Sequence, residues 1–253
     1  MEWFSEGDSV VKPENFAPKD LGFVKFVIIV FVRRVYEWMK AAILDRIIVE
    51  KEENIIGAKR FFATKEGLAV FHSYFGAPAT VALAEALIAA GIKNMLIFGE
   101  AGSISSEVDI GQIVVPTFAI REEGTSYHYL PQNVEAKPSR KLLKNIRELL
   151  REIGVPFKEG GVWTTDAPFR ETMTKVLTYS KAGILTVEME CSALFCLSTY
   201  RRTNCAALLI ITDTLWEGKW KPAFSEQKVI DMEKRMSEIL ATTWKKLASN
   251  VFL

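Results

Sequence analysis

At 253 residues the chain is long enough for one large α/β domain or two small ones, and 49% hydrophobic with 25% charged residues is an ordinary balance for a packed globular protein. With 32 Lys and Arg against 31 Asp and Glu the formal charge is +1. That balance excludes a dominant electrostatic pull toward nucleic acid or an anionic membrane and leaves a small molecule as the default partner.

The first twenty residues, with Pro13, Pro18 and scattered charges, predict an arm over 1–20 that must dock to be ordered, ahead of a single α/β domain over 21–253. No charged segment followed by a small-residue cleavage site opens the chain, so a leader is not expected. FVIIVFV (26–32) lies between Lys25 and Arg33 and is far shorter than the roughly 20 residues of a membrane helix; it predicts a buried strand. LAVFHSY (68–74) predicts another. Residues 78–90 predict a helix, with Pro78 in its first turn and Gly91 at its end. NMLIFG (94–99) predicts a short buried strand running into a two-glycine turn, Gly99-Glu100-Ala101-Gly102.

QIVVPTFAI (112–120) predicts a strand followed by the polar turn REEGTSYHYLP. From 139 to 153, Leu142, Leu143, Ile146, Leu149, Leu150 and Ile153 recur at helical spacing, with Ser139 placed to cap the start and Gly154 the end. CAALLIITD (205–213) predicts a strand ending in a carboxylate. Residues 226–248 carry Val229, Ile230, Met236, Ile239, Leu240, Trp244 and Leu247 on one helical face and predict a covering helix. Cys191, Cys196 and Cys205 are odd in number and lack CxxC spacing, so reduced core cysteines in a cytoplasmic protein are expected.

Strands alternating with helices imply a three-layer α/β/α fold around a mixed, largely parallel sheet. Ligands collect at the carboxyl ends of strands in such sheets. The candidates there are Gly99 to Gly102, the EGTSYHY turn with Thr125, Ser126 and His128, the segment Glu188-Met189-Glu190, and Asp213.

In an extended stretch Glu188 and Glu190 share one face with Met189 opposite. A carboxylate accepts two hydrogen bonds at once, which suits a cis-diol, and methionine packs on the apolar face of a sugar. The same residues also read as a helix start whose glutamates complement the dipole. Asp213, after an apolar strand, reads either as a partly buried acid with a raised pKa or as a cap for the segment after Thr214. GEAG lacks the third glycine and the following acidic residue of a dinucleotide fingerprint. His72 beside Val70 and Phe71 reads as a core histidine, and His128 between two tyrosines as the better site candidate. No spacing suggests a metal, and no cofactor is expected.

Taken together, VEMECSAL, LIFGEAGSI followed by DIGQIVVP, REEGTSYHYLP, WTTDAPFRE and the late ITD resemble the nucleoside phosphorylases of the purine nucleoside and uridine phosphorylase type, whose relatives include AMP nucleosidase and methylthioadenosine nucleosidase. The resemblance runs from about Gly57 to Leu247. It implies that Glu190 binds the ribose hydroxyls with Met189 packed on the sugar and Glu188 beside them. It further implies that Phe169 stacks on the base and that Asp213 protonates a purine ring nitrogen as the glycosidic bond breaks. A homo-oligomer, dimer or hexamer, with sites at subunit borders is implied as well.

The match departs from the family at the phosphate cradle. Val30-Phe31-Val32 ahead of Arg33 and Arg34 replaces a Pro-Gly-Asp-Pro-like turn, the phosphate-binding arginine falls at Ile97, and a Thr or Ser contact falls at Glu100, which repels phosphate at short range. The whole-chain resemblance implies a nucleoside phosphorylase releasing free base and ribose 1-phosphate with phosphate as co-substrate, its phosphate site rebuilt around Arg33 and Arg34; the alternatives are a nucleosidase in which Glu100 positions water and a catalytically silent nucleoside-binding protein. Base choice is open too. REEGTSYHYLP leans toward uridine, whereas Asp213 leans toward purines and the glutamine and arginine that would read uracil have no match around Thr172 and Thr174.

Overall fold

The computed structural model describes residues 3–5, 7–52 and 55–249; residues 1, 2 and 6 of the arm and 250–253 lie outside the described residues. In chain order the elements are β1 (Phe26–Val30), α1 (Arg33–Ala42), β2 (Ile47–Lys51), β3 (Ala58–Thr64), β4 (Leu68–Ser73), α2 (Ala77–Ala89), β5 (Asn94–Ser103) and β6 (Ile113–Glu122). Then come α3 (Arg140–Glu152), β7 (Phe157–Thr165), α4 (Met173–Lys181), β8 (Ile184–Glu188), α5 (Cys191–Tyr200), β9 (Asn204–Thr214), β10 (Lys221–Pro222) and α6 (Gln227–Ala248). Among the described residues no helix is long and apolar enough to cross a membrane.

The unbroken apolar run of β1 follows from burial on both faces. Val27 and Ile29 join the core beneath α2 and α5, while Phe26, Ile28 and Val30 alternate into the core beneath α1, α3 and α6. The result is a three-layer α/β/α domain with a mixed central sheet. β4, β1, β5 and β9 run parallel, as do β6, β7 and β8. Antiparallel seams join these groups: β6 meets β9 at Ile113 and Val114, and β8 meets the end of β5 at Gly102 and Ser103. Strands β5, β9, β6, β7 and β8 thereby close on themselves, and β2 and β3 extend the free edge beyond β4. Cys191, Cys196 and Cys205 are all free and buried.

The arm's Trp3 stacks on His128 with ring centroids 5.5 Å apart and meets Tyr127 edge-on at 6.0 Å. The predicted helices at 139–153 and 226–248 are α3 and α6. Ser139 opens α3 without a side-chain cap; its hydroxyl donates instead to Asn204 at 2.8 Å.

Gly57 immediately precedes β3 and packs against α2. It has a φ of 76°, and a Cβ there would stand 2.1 Å from the Ala79 carbonyl oxygen and 2.8 Å from Leu83 Cβ. Gly57→Ala is expected to destabilise the fold by about 1–3 kcal/mol or more, read as a lower urea midpoint at unchanged slope.

Candidate active site

A difference in strand length opens a crevice in the sheet. β1 stops at Val30, whose neighbour in β5 is Phe98, whereas β5 runs on to Ser103 alongside β9. Where the chain leaves β1 for α1, the carboxyl ends of β1, β5, β8 and β9 surround a cavity of about 460 Å³, the place a parallel sheet offers a ligand. Its floor and walls include Phe31, Glu100, Ala101, Gly102, Glu188, Met189, Glu190, Thr212 and Asp213. Phe75, Phe169 and Trp220 stand at its mouth, with Phe169 98% exposed.

The two-glycine turn expected at 99–102 is strand: its backbone continues the pairing with β9 rather than curling into a loop of free amides. Glycine at 102 serves a close approach. A Cβ there would lie 2.9 Å from Asp213 Oδ2 and 2.8 Å from Leu215 Cδ1, so the missing side chain lets Asp213 reach over β5. Gly99 packs at the Phe31 ring and does not line the cavity. His72 Nε2 donates to the Phe31 carbonyl at 3.0 Å, and burial holds its pKa below the usual value. As a neutral core histidine it fixes the residue that lines the cavity.

Glu188 and Glu190 do not share a face. β8 ends at Glu188, whose Oε2 accepts the Glu190 and Cys191 N–H groups at 2.8 Å each and whose Oε1 accepts the Thr164 hydroxyl at 2.6 Å. Glu188 therefore caps α5, the outcome of the helix-start reading. Glu190 turns the other way with φ −136° and ψ −34°, and its Oε1 accepts the Gly76 N–H, at the start of α2, at 2.6 Å. Burial, and next the Glu188 charge, push its carboxyl up to about 8. Half-buried Met189 lies between the two in sequence and lines the cavity.

Asp213, partly buried, is the last residue but one of β9 and pairs with Pro222 of β10. Its Oδ2 accepts the Trp220 indole N–H at 2.8 Å and its Oδ1 the Thr212 hydroxyl at 3.2 Å. Burial raises its pKa, and these two bonds oppose the rise.

Arg34 opens α1 beneath Glu100. Its Nε and Nη2 donate to Glu233 at 2.6 and 2.9 Å, and Nη2 also donates to Glu100 at 3.1 Å. One guanidinium is thus held by two carboxylates, with Glu233 fully buried on α6. Burial and then Glu233 push Glu100 up to about 9, against the opposing pull of Arg34. Arg33 points away, 3.5 Å from Glu37 and largely exposed, and does not line the cavity.

Thr125, Ser126 and His128 also lie outside the cavity walls. Arg121 explains their loop: it donates to the carbonyls of Leu130, Pro131 and Val134 and to the Ser126 hydroxyl, while Glu123 joins the Ser126 N–H to the Ser192 hydroxyl of α5. That polar network pins the loop to the body of the domain. Among the described residues no cluster of His, Cys, Asp or Glu could hold a metal ion.

Sequence reasoning passed over Glu171, Trp220 and Glu233. Glu171 and Trp220 sit on irregular segments where no periodicity marks them. Glu233 carried a usable signal, since it lies between Val229 and Met236 on the buried stripe of α6, where a carboxylate is out of place unless paired.

Residues 27–245 match the Phosphorylase superfamily. Over 167 residues, 66% of this chain and 69% of the relative, the sequence is 25% identical to a guanosine phosphorylase of Halorubrum lacusprofundi. Over 157 residues, 61% of this chain and 68% of the relative, it is 28% identical to a DeoD-type purine nucleoside phosphorylase of Caldanaerobacter subterraneus. The fold superimposes on the crystal structure of purine nucleoside phosphorylase from Toxoplasma gondii in complex with immucillin-H with a TM-score of 0.79 at 21% identity, covering 97% of this chain and 98% of that one. On uridine phosphorylase from Vibrio fischeri the TM-score is 0.73 at 24% identity, over 92% and 97% of the two chains. A match that starts in β1 and ends in α6 makes this chain a member of the Phosphorylase superfamily.

Proposed function

We propose that the protein cleaves the N-glycosidic bond of a purine nucleoside and that water, not phosphate, takes the sugar. The observation that carries the second half is the charge of the cavity: every ionisable side chain on its walls is a carboxylate, and Arg34, the cation behind Glu100, is already engaged by Glu100 and Glu233. A dianion placed there faces acid groups and no lining cation, and Arg34 behind them already spends its Nε and Nη2 on Glu233 and Glu100. Water meets neither obstacle.

The cleavage itself follows from the geometry with the roles the family resemblance implies. Ribose lies on Met189 with its hydroxyls on Glu190, and the base lies between Phe169 and Asp213. As the C1′–N bond lengthens, positive charge grows on the sugar and negative charge on the base. Asp213, whose raised pKa keeps it a usable proton donor, neutralises the base, and Glu190, drawn toward its ionised form by the positive charge growing on the sugar, strengthens its hold on the hydroxyls. Glu100 orients the water that closes on C1′. The purine preference rests on Asp213 and on relatives named for guanosine and purine nucleosides. The exposed aromatic mouth fits the homo-oligomer implied by the resemblance.

A second reading, phosphorolysis, is favoured by the names of those same relatives. In it Arg34 leaves Glu100 and turns to phosphate. Product analysis over a nucleoside panel separates the two. Free base and ribose without phosphate is the expected outcome; ribose 1-phosphate formed only with phosphate would establish the second reading, and nucleoside bound but uncleaved would mean a silent binding protein. Glu100→Thr is expected to lower hydrolysis and raise phosphate-dependent cleavage in the same preparation, because it removes the water contact, puts a hydroxyl donor in place of an acid group and frees Arg34 Nη2.

Glu190→Ala is expected to weaken nucleoside binding by about 1.5–3 kcal/mol while barely changing the affinity for free base, since a buried diol loses a charged acceptor. Calorimetry returning equal losses for both ligands would reject the ribose role.

A further inference from the structure

We propose that the preferred substrate of this site is a nucleoside whose base carries a fixed positive charge, such as an N7-alkylated purine nucleoside or an N-ribosylpyridinium. This rests on the glycosidase reading above and adds the substrate class.

Two independent features of the cavity point to a flat organic cation. Its charged lining is Glu100, Glu171, Glu188, Glu190 and Asp213, with no Lys, Arg or His among the lining residues. Glu188 is engaged by the start of α5 and Glu100 by Arg34. Glu171 forms neither an ion pair nor a side-chain hydrogen bond with any described residue, yet it is partly buried and faces the Asp213 charge. The part of the cavity beside Asp213 therefore holds two acid groups, Glu171 and Asp213, that no cationic side chain of the cavity lining balances once they ionise. The second feature is aromatic. Phe31, Phe75, Phe169, Trp220 and Phe224 contribute to the walls and mouth, and the face of an aromatic ring attracts a cation, the more so where water is excluded.

The spread of the charge selects the kind of cation. No group of three His, Cys, Asp or Glu converges closely enough for a metal ion among the described residues. The carboxylates instead stand apart around a space of about 460 Å³, which matches a charge delocalised over a ring. Burial pushes Glu171 up to about 7 and Glu190 up to about 8, so both are partly protonated in the empty cavity. A bound cation favours their ionised forms, and binding releases protons.

The chemistry balances without a general acid. The electron pair of the C1′–N bond returns to the ring nitrogen and discharges the cation, leaving a neutral base. The water oxygen bonds to C1′ and loses one proton to a carboxylate and then to solvent, and ribose is released. Asp213 acts here as an ionised counter-charge, in contrast to its role with a neutral base.

The test compares 7-methylguanosine with guanosine on the full-length protein, at a pH where the methylated ring is cationic. Binding is read by calorimetry in buffers of different ionisation enthalpy, and cleavage by base release without phosphate. The cation is expected to bind at least about tenfold more tightly, to release protons on binding, and to be cleaved with the higher kcat/KM. Glu171→Gln should narrow both ratios. Asp213→Asn should cost the cation far less in kcat than it costs guanosine. Guanosine cleaved, with the cation bound no more tightly, overturns the inference and leaves the glycosidase reading intact. The cation bound more tightly but neither nucleoside cleaved removes the glycosidase reading and retains the charge preference. Neither one bound overturns both.

Discussion

Asp213→Asn is expected to lower kcat for a neutral purine nucleoside by a factor on the order of a hundred to ten thousand, with a much smaller change in KM. The argument begins with the glycine at 102, which lets the carboxyl lie over β5 at the end of β9, inside the cavity and partly out of water. Burial raises its pKa, while the Trp220 indole N–H and the Thr212 hydroxyl draw it back toward the ionised form. The acid must hold its proton until the base takes it, so kcat for a neutral nucleoside should fall as pH rises through the Asp213 titration. Asparagine preserves the shape and cannot give up a proton, so the variant should lose that limb of the profile together with the rate. Trp220→Phe provides the complementary case: without the indole donor the Asp213 pKa moves further up and the limb shifts to higher pH. A kcat for Asp213→Asn within about threefold of the parent, or an unchanged limb, would remove Asp213 from the proton-transfer role.

Arg34→Met is expected to destabilise the folded chain by about 3–5 kcal/mol near neutral pH, because it leaves the buried Glu233 carboxylate behind the cavity without its cation. Glu233 is fully buried on α6, and Glu100 sits only partly exposed on β5. Arg34 ties both to the start of α1. The pH dependence has a definite sign. Glu100 holds its proton more tightly folded than unfolded, its value rising from 4.5 to about 9. The stability linked to it is fully present below 4.5 and is lost as pH rises through that window. Removing the guanidinium raises the carboxyl pKa further and enlarges the loss at the alkaline end. The deficit of Arg34→Met should therefore be steady between 4.5 and about 9, where Glu100 is protonated in both folded forms, and grow as pH rises past about 9. Urea unfolding across that range measures it, and a deficit that grows toward acid would contradict this account of the triad.

Much of the fold was legible from residue order. A strand buried on both faces has no polar phase, so FVIIVFV and CAALLIITD announce β1 and β9 as uninterrupted apolar runs. An amphipathic helix writes its buried stripe at intervals of three and four, which marked α3 and α6 to within a residue or two of their ends. The family was legible for a related reason: several short segments, each weak alone, recur in one order, and residues 27–245 match the superfamily. The cavity residues Glu190, Asp213 and Met189 could be named beforehand because they lie at or just past strand ends, and Glu100 because it stands between two closely spaced glycines.

What a carboxylate does once it arrives was decided by partners far away in the chain. Glu188 and Glu190 stand two residues apart, yet one is taken up by the α5 start and the other by Gly76, 114 positions away. Arg34 meets Glu100 across 66 positions and Glu233 across 199. No local pattern encodes such pairs, since they form only when separate elements are packed against one another. The segment from Gly99 to Gly102 makes the same point for the backbone. Two glycines in four residues carry the local signature of a turn, and it is the neighbouring β9, supplying a ladder along its whole length, that draws them out into strand. Sequence alone determined which residues would reach the carboxyl ends of the strands; tertiary packing decided which of their charges were already spent, because burial makes the charge state of each depend on whatever is packed beside it.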